Sequence, residues 1–111
     1  MKLVELKEYI TQEGKSPFNL WFETVSTPAD AKIIRALTKL ELGNFSITKS
    51  VGAGVFEVKI DFGPGYRVYF GKDGDTLVIL LGGGTKKRQS NDIEQAKELW
   101  KDYMRRKKKG K

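Results

Sequence analysis

Val55-Phe56-Glu57-Val58-Lys59-Ile60-Asp61-Phe62-Gly63-Pro64-Gly65-Tyr66-Arg67-Val68-Tyr69-Phe70 is the stretch that decides the fold. Apolar Phe56, Val58, Ile60 and Phe62 alternate with Glu57, Lys59 and Asp61, the period of two that sends successive side chains to opposite faces of a strand. After Gly63-Pro64-Gly65 the alternation resumes, with Tyr66, Val68 and Phe70 on one side and Arg67 and Tyr69 on the other. The pattern predicts a β-hairpin with one buried face and one polar face. A three-residue loop sets Phe62 opposite Tyr66, Asp61 opposite Arg67, Ile60 opposite Val68 and Lys59 opposite Tyr69. The polar residues then share one open surface, on which Asp61–Arg67 is a cross-strand ion pair worth roughly 0.2–1 kcal/mol.

Working outward, Asp73-Gly74 signals a tight turn, and Thr76 to Leu81 is a nearly all-apolar run that reads as a central strand. Gly82-Gly83-Gly84 is expected to break that strand, and Thr85 to Gln89 to form a basic loop. Ser90 or Asn91 can cap a final helix, with Asn91 and Glu94 at capping-box spacing and Ile93, Ala96, Trp100 and Tyr103 as its buried stripe. Before the hairpin, Ser50 to Gly54 reads as a glycine-bearing loop. Thr27-Pro28-Ala29-Asp30 starts a helix whose stripe is Ile33, Leu37 and Leu40, supported by Ile34, and Gly43 ends it. Ser16-Pro17 starts a shorter helix with Phe18, Trp21, Phe22 and Val25 on one face. That aromatic face reads as core, with Trp21 and Phe22 a lesser candidate for a partner contact. Val4 to Lys7 reads as a first strand. The order β-α-α-β-β-β-α describes an α+β fold with a largely antiparallel sheet, a helix pair on one face and a C-terminal helix.

The 111 residues suit one domain, residues 1–111. Without Cys, disulfides, thiolate metal sites and thiol nucleophiles are excluded; without His, the usual general base is missing. Any catalysis runs on Lys, Arg, Tyr, Asp and Glu, and the sequence asks for no metal or cofactor. The opening Met1-Lys2-Leu3-Val4-Glu5 carries no signal-length apolar stretch, so a cytoplasmic protein without a membrane partner is expected. The net charge of +7 is concentrated at one end. Residues 101–111 hold seven Lys/Arg and one Asp; taking these from 21 basic and 14 acidic residues leaves 14 and 13 for the first hundred. The basic end, with Lys107 and Lys108, reads either as a phosphate contact or as a solvated helix end.

Chemistry converges on the polar face of the hairpin. Lys86, Lys87 and Arg88 follow the third hairpin strand and are expected at the same end of the sheet as part of the hairpin. Cations on a rigid sheet can hold a phosphodiester and stabilise the charge that develops on it. Tyr69 adds a stacking face in the same patch. Gly82-Gly83-Gly84 before Lys86 lacks the spacing of a phosphate-binding loop, which argues against nucleotide hydrolysis.

Val55 to Asp61, Gly63 to Phe70, Leu80 to Lys86 and Asp92 to Ala96 together resemble the RelE/ParE toxin superfamily, and most closely its HigB-like "addiction module killer" branch. The resemblance implies a RelE-like fold and a type II toxin neutralised by an antitoxin, a small helix-turn-helix protein. It further implies a ribosome-dependent endoribonuclease, in which the 2′-hydroxyl of mRNA attacks the adjacent phosphate. On this reading Arg67 holds the scissile phosphate, Lys59 and Lys86 support it, and Glu57 or Lys59 is the base. Lys49, Tyr69, Lys87, Arg88, Lys107 and Lys108 are then RNA contacts, and the ribosome and mRNA are partners. Two alternatives share the fold: a ParE-like, non-enzymatic inhibitor of a DNA topoisomerase, and an inactive antitoxin-binding relative.

Overall fold

The computed structural model describes residues 3–110; Met1, Lys2 and Lys111, the last of the basic run, lie outside the described residues. In chain order it contains β1 (Glu5–Glu8), α1 (Pro17–Phe22), α2 (Thr27–Glu41), β2 (Thr48–Gly52), β3 (Val55–Ile60), β4 (Tyr66–Lys72), β5 (Leu77–Thr85), a 3₁₀ turn (Lys86–Arg88) and α3 (Gln89–Lys109). One five-stranded sheet has the order β1-β5-β4-β3-β2, with β1 parallel to β5 and every other pair antiparallel. The expected α+β architecture holds, with one more strand than the sequence pattern showed.

The extra strand is β2. It turns into β3 through Gly52, Ala53 and Gly54, all at positive φ (99°, 54° and 83°). Two of the three are glycine, the residue that adopts this backbone without strain. The glycines of the segment taken as a loop therefore mark only the turn, while Thr48 to Gly52 pairs with β3.

Strand β5 does not stop at its glycines. Gly82, Gly83 and Gly84 stay in register with Tyr69, Val68 and Arg67 of β4. Two of them are held bare by close packing. A Cβ on Gly83 would lie 2.3 Å from Trp21 of α1, and one on Gly84 would lie 1.9 Å from Asp92 Oδ2 of α3.

The alternating hairpin pattern divides the core into two layers. Phe56, Val58, Ile60, Val68, Phe70, Val78 and Leu80 pack beneath α1 and α2 with Phe18, Ile33 and Leu40. Val55, Tyr69, Ile79 and Leu81 pack beneath α3 with Ala96 and Trp100. Trp21 and Phe22 belong to the first layer. In α2 the buried positions are Ala29, Ile33, Ala36 and Leu40, whereas Ile34 is 52% exposed and does not support the stripe.

Helix ends follow local chemistry. Ser16 Oγ accepts from the Asn19 backbone N–H at 3.0 Å and caps α1. The N-cap of α2 is Ser26 rather than Thr27, and it makes no side-chain cap bond. Gly43 (φ 83°) closes α2, and the Asn44 N–H reaches back to the Lys39 carbonyl at 2.9 Å. In place of a loop after β5, the 3₁₀ turn runs straight into α3, which begins at Gln89 and leaves Ser90 and Asn91 inside the helix. The buried stripe of α3 is as expected, with Ala96 and Trp100 buried and Ile93 and Tyr103 packed beside them.

Candidate active site

The hairpin connection is five residues long rather than three. The Phe62 N–H bonds to the Ile60 carbonyl at 3.0 Å, and the Gly65 N–H bonds to the Phe62 carbonyl at 3.1 Å. Pro64 has no N–H to give a ladder, and Gly63 and Gly65 take left-handed φ of 57° and 80°. Two successive tight turns therefore consume Asp61 to Gly65, and pairing starts at Ile60–Tyr66. The register moves by two residues from the expected one. Each side chain keeps its face, because the side-chain period is two, but its partner changes. Lys59 stands opposite Arg67, Glu57 opposite Tyr69 and Val58 opposite Val68. Exposed Asp61 lies in the loop and forms no cross-strand pair with Arg67.

The polar face consists of two adjoining rungs across the sheet. Lys49, Glu57, Tyr69 and Gly82 form one; Lys59, Arg67 and Gly84 form the next. This face is not the open surface that the alternation suggested, because α3 covers part of it. Glu57 and Arg67 are 4% and 5% exposed and Tyr69 is 1% exposed, while Lys49 and Lys59 reach solvent.

Arg67 Nε lies 3.7 Å from Glu57 Oε1. Gln89 Nε2, on the first turn of α3, donates to that same oxygen at 3.0 Å. Arg67 Nη1 donates to the Gly65 carbonyl at 3.3 Å, and the Lys86 backbone N–H donates to the same carbonyl at 2.8 Å. Gly65 thus ties the turn after β5 to the hairpin loop and brings exposed Lys86 beside Arg67, as expected from the chain order. Arg67 Nε and the Tyr69 hydroxyl are buried and have no hydrogen-bond partner among the described residues.

Lys87 and Arg88 are exposed on the 3₁₀ turn. Lys107 and Lys108 lie apart from the site, about 27 Å along α3 from Gln89 at 1.5 Å per residue. Lys107 pairs with Asp73, while Lys108 is exposed. Gln89 and Asp92 are the site residues that sequence reasoning left out. Burial raises the Asp92 carboxyl above its usual pKa, with Arg88 opposing. Burial also raises the Tyr69 phenol, helped by the negative charges of Glu57 and Asp92 and opposed by Arg67. The signal that could have marked Asp92 is Gly84, since only a residue without a side chain lets that carboxylate approach the strand.

Lys59 and Arg67 are like charges directly opposite on a sheet, an arrangement that is unfavourable by itself. Lys86 adds a third cation against the two carboxylates of Glu57 and Asp92, so the cluster retains positive charge and can hold a phosphate. Among the described residues, no three His, Cys, Asp or Glu side chains assemble as a metal-ligand set. None of the described helices is long and apolar enough to cross a membrane.

Residues 20–101 match the model of the family described as phage derived protein Gp49-like (DUF891). An uncharacterised protein of Haemophilus influenzae is 47% identical over 83 residues, spanning 74% of this chain and 84% of the relative. The chain belongs to the Gp49-like family, a toxin–antitoxin-related branch of the RelE/HigB-like toxin superfamily.

Proposed function

We propose that this chain, acting as one toxin domain over residues 1–111, is a HigB-like type II toxin that cleaves mRNA on the ribosome. The observation that carries this reading is Lys59 directly across from Arg67, with Lys86 drawn to the same point through the Gly65 carbonyl. An RNA phosphate between these cations relieves their mutual repulsion and is oriented by a rigid strand.

In this scheme the 2′-oxygen of the preceding ribose attacks phosphorus and the bond from phosphorus to the 5′-oxygen breaks. The products are a 2′,3′-cyclic phosphate and a 5′-hydroxyl. The proton of the attacking hydroxyl goes to Glu57, with Lys59 as the alternative acceptor, and a proton from solvent or a site lysine reaches the leaving oxygen. Arg67 and Lys86 stabilise the extra negative charge on the phosphoryl oxygens in the transition state. The protein's share is chiefly orientation and charge stabilisation, the terms that dominate when the nucleophile comes from the substrate. A neighbouring antitoxin is the partner that restrains the activity.

The burial of Arg67 and Glu57 favours a second reading, a non-enzymatic ParE-like topoisomerase inhibitor or an inactive antitoxin-binding relative. Mapping new 5′ ends on cellular mRNA after brief induction separates the two. In-frame cuts that vanish in Arg67→Lys, a variant that keeps the charge but loses the planar fork, are the expected result. Intact transcripts together with blocked topoisomerase activity would sink the endoribonuclease.

A further inference from the structure

We infer that the small cavity between the glycine stretch of β5 and the first turns of α3 is a base-reading subsite, where Tyr69 and Asp92 receive the polar edge of one unpaired RNA base beside the phosphate at Arg67. The inference rests on the endoribonuclease reading above and assigns part of its substrate recognition.

The cavity holds about 160 Å³ and is lined by Pro17, Tyr69, Gly82, Gly83, Asp92 and Gln95, among others. Ligand pockets for drug-sized molecules run to roughly 300–1,000 Å³, so this one suits a single small ring system. Its position follows from the ladder, because Gly82 is the partner of Tyr69 and Gly84 the partner of Arg67.

Three observations point to a polar, planar occupant. The Tyr69 hydroxyl is buried and unpartnered although its side chain lines the cavity; buried polar groups ordinarily find a partner. Asp92 presents a carboxylate in a partly desolvated position on the opposite wall. Gly82 sits beside the bulge at which β5 slips against β4, and it puts no side chain into the cavity it lines. Its φ is not left-handed, and a Cβ there would meet nothing within 4 Å. Gly83 and Gly84 are bare because Trp21 and Asp92 press on them; Gly82 is bare over open space. A strand glycine marks a bulge or leaves room for close approach, and the open space beside this one belongs to the cavity.

The donor set fits a base. An ionised Asp92 only accepts, so it takes an N–H from the base, while the Tyr69 hydroxyl donates to or accepts from the neighbouring edge atom. Pro17 and Ala96 give apolar walls to the ring faces. Proteins that read single-stranded RNA use unstacked bases whose Watson–Crick edges are free.

The test uses four 2′-O-methyl trinucleotides that differ in the central base and cannot be cut, with backbone amide shifts followed by NMR. It is joined to base frequencies at mapped cut sites in cells. The variants are Asp92→Asn and Gly82→Val, the latter adding bulk to the cavity at a position where a Cβ meets nothing within 4 Å. One trinucleotide is expected to bind at least tenfold tighter than the weakest and to shift Gly82, Gly83 and Gln95. Gly82→Val should abolish those shifts and retain those near Lys59 and Lys86. Asp92→Asn, which adds a donor, should change the preferred base. Shifts near Lys59 and Lys86 with none at Gly82 and Gly83 overturn the subsite and leave the endoribonuclease standing. So does a base preference unchanged in both variants, which would mean that the cavity holds only water. Base-selective shifts at Gly82 and Gly83 in a protein that cuts no transcript support the subsite and overturn the endoribonuclease. No shift anywhere overturns the subsite.

Discussion

Arg67 Nε lies 3.7 Å from Glu57 Oε1, and each side chain is only 6% exposed. Removing one partner of a buried ion pair leaves an uncompensated charge and costs roughly 3–5 kcal/mol. Glu57→Ala is therefore expected to lower unfolding stability by about that amount in urea titrations. The double change Arg67→Met with Glu57→Leu should cost less than either single removal. If Glu57→Ala loses under about 1 kcal/mol, a reach below the range for a broken buried pair, the two residues are not coupled.

Lys59 and Lys86 hold a different status, because both are exposed. Replacing either by Ala should leave stability within about 0.5 kcal/mol, as for most surface changes. The effect belongs in RNA binding. The slope of log affinity against log salt should fall by about 0.7 per lost single-strand phosphate contact, and by twice that in the double variant. An unchanged slope in the double variant would remove both lysines from the interface.

Trp100 seals the second core layer over bare backbone. A Cβ on Gly71 would lie 2.3 Å from Trp100 Cε3, and one on Gly54 would lie 2.7 Å from Trp100 Nε1. Trp100→Ala should destabilise by roughly 3–5 kcal/mol. Gly71→Ala should also destabilise, although it adds only a methyl group, and most of its cost should disappear when Trp100 is already Ala. Additive losses in a denaturant-based double-mutant cycle would contradict this contact.

The alkaline limb of stability should report Tyr103. Its hydroxyl donates to Asp73 at 2.6 Å, and burial together with that bond and charge pushes its pKa up to about 12 from 10.0. A folded-state pKa above the unfolded one gives stability that is complete below pH 10 and lost as pH rises through about 12. The midpoint of urea unfolding in the parent protein should fall more steeply over that window than in Tyr103→Phe. Parallel curves would show that the bond does not persist in solution.

The basic end divides at Lys107, whose ammonium is taken by Asp73. Lys107→Ala should act on the helix end, with a loss of roughly 0–1 kcal/mol, as for partly exposed pairs. Truncation after Lys107 should instead weaken RNA or ribosome association without abolishing cleavage. If truncation leaves the salt slope of binding unchanged, the terminal lysines do not touch phosphate.

Period-two alternation made the faces of β3 and β4 legible in the sequence, and with them the two layers of the core. Partners were less legible, because Gly63-Pro64-Gly65 did not reveal that Phe62 bonds back to Ile60 and lengthens the connection. Glycine was misread where packing, rather than turning, explains it. Gly83 and Gly84 lie inside β5 because Trp21 and Asp92 need the room. The candidates Lys59, Arg67 and Lys86 come from sequence pattern and resemblance, and what the structure adds is that Lys59 stands opposite Arg67. Gln89 and Asp92 were not, since their role depends on where α3 lands on the sheet, and no local spacing encodes that.

Helix α3 is fastened to the sheet at two places in its second half. Asp102 accepts from the Tyr9 hydroxyl, Arg106 donates to the Ile10 carbonyl, and Tyr103 with Lys107 takes Asp73. Its opening turn carries Gln89 and Asp92, about 16 Å from Tyr103 when Asp92 is measured along the axis. With Gln89 held by Glu57 at its other end, the helix is a lever clamped at both ends, and slack at the far clamp is passed to the near one. Loosening Tyr9 or Asp73, neither of which belongs to the cluster of Lys59, Arg67 and Lys86, should detune the first turn while leaving the cations of the sheet in place. Sensitivity to such distant changes would be a matter of alignment, not of lost contacts with RNA.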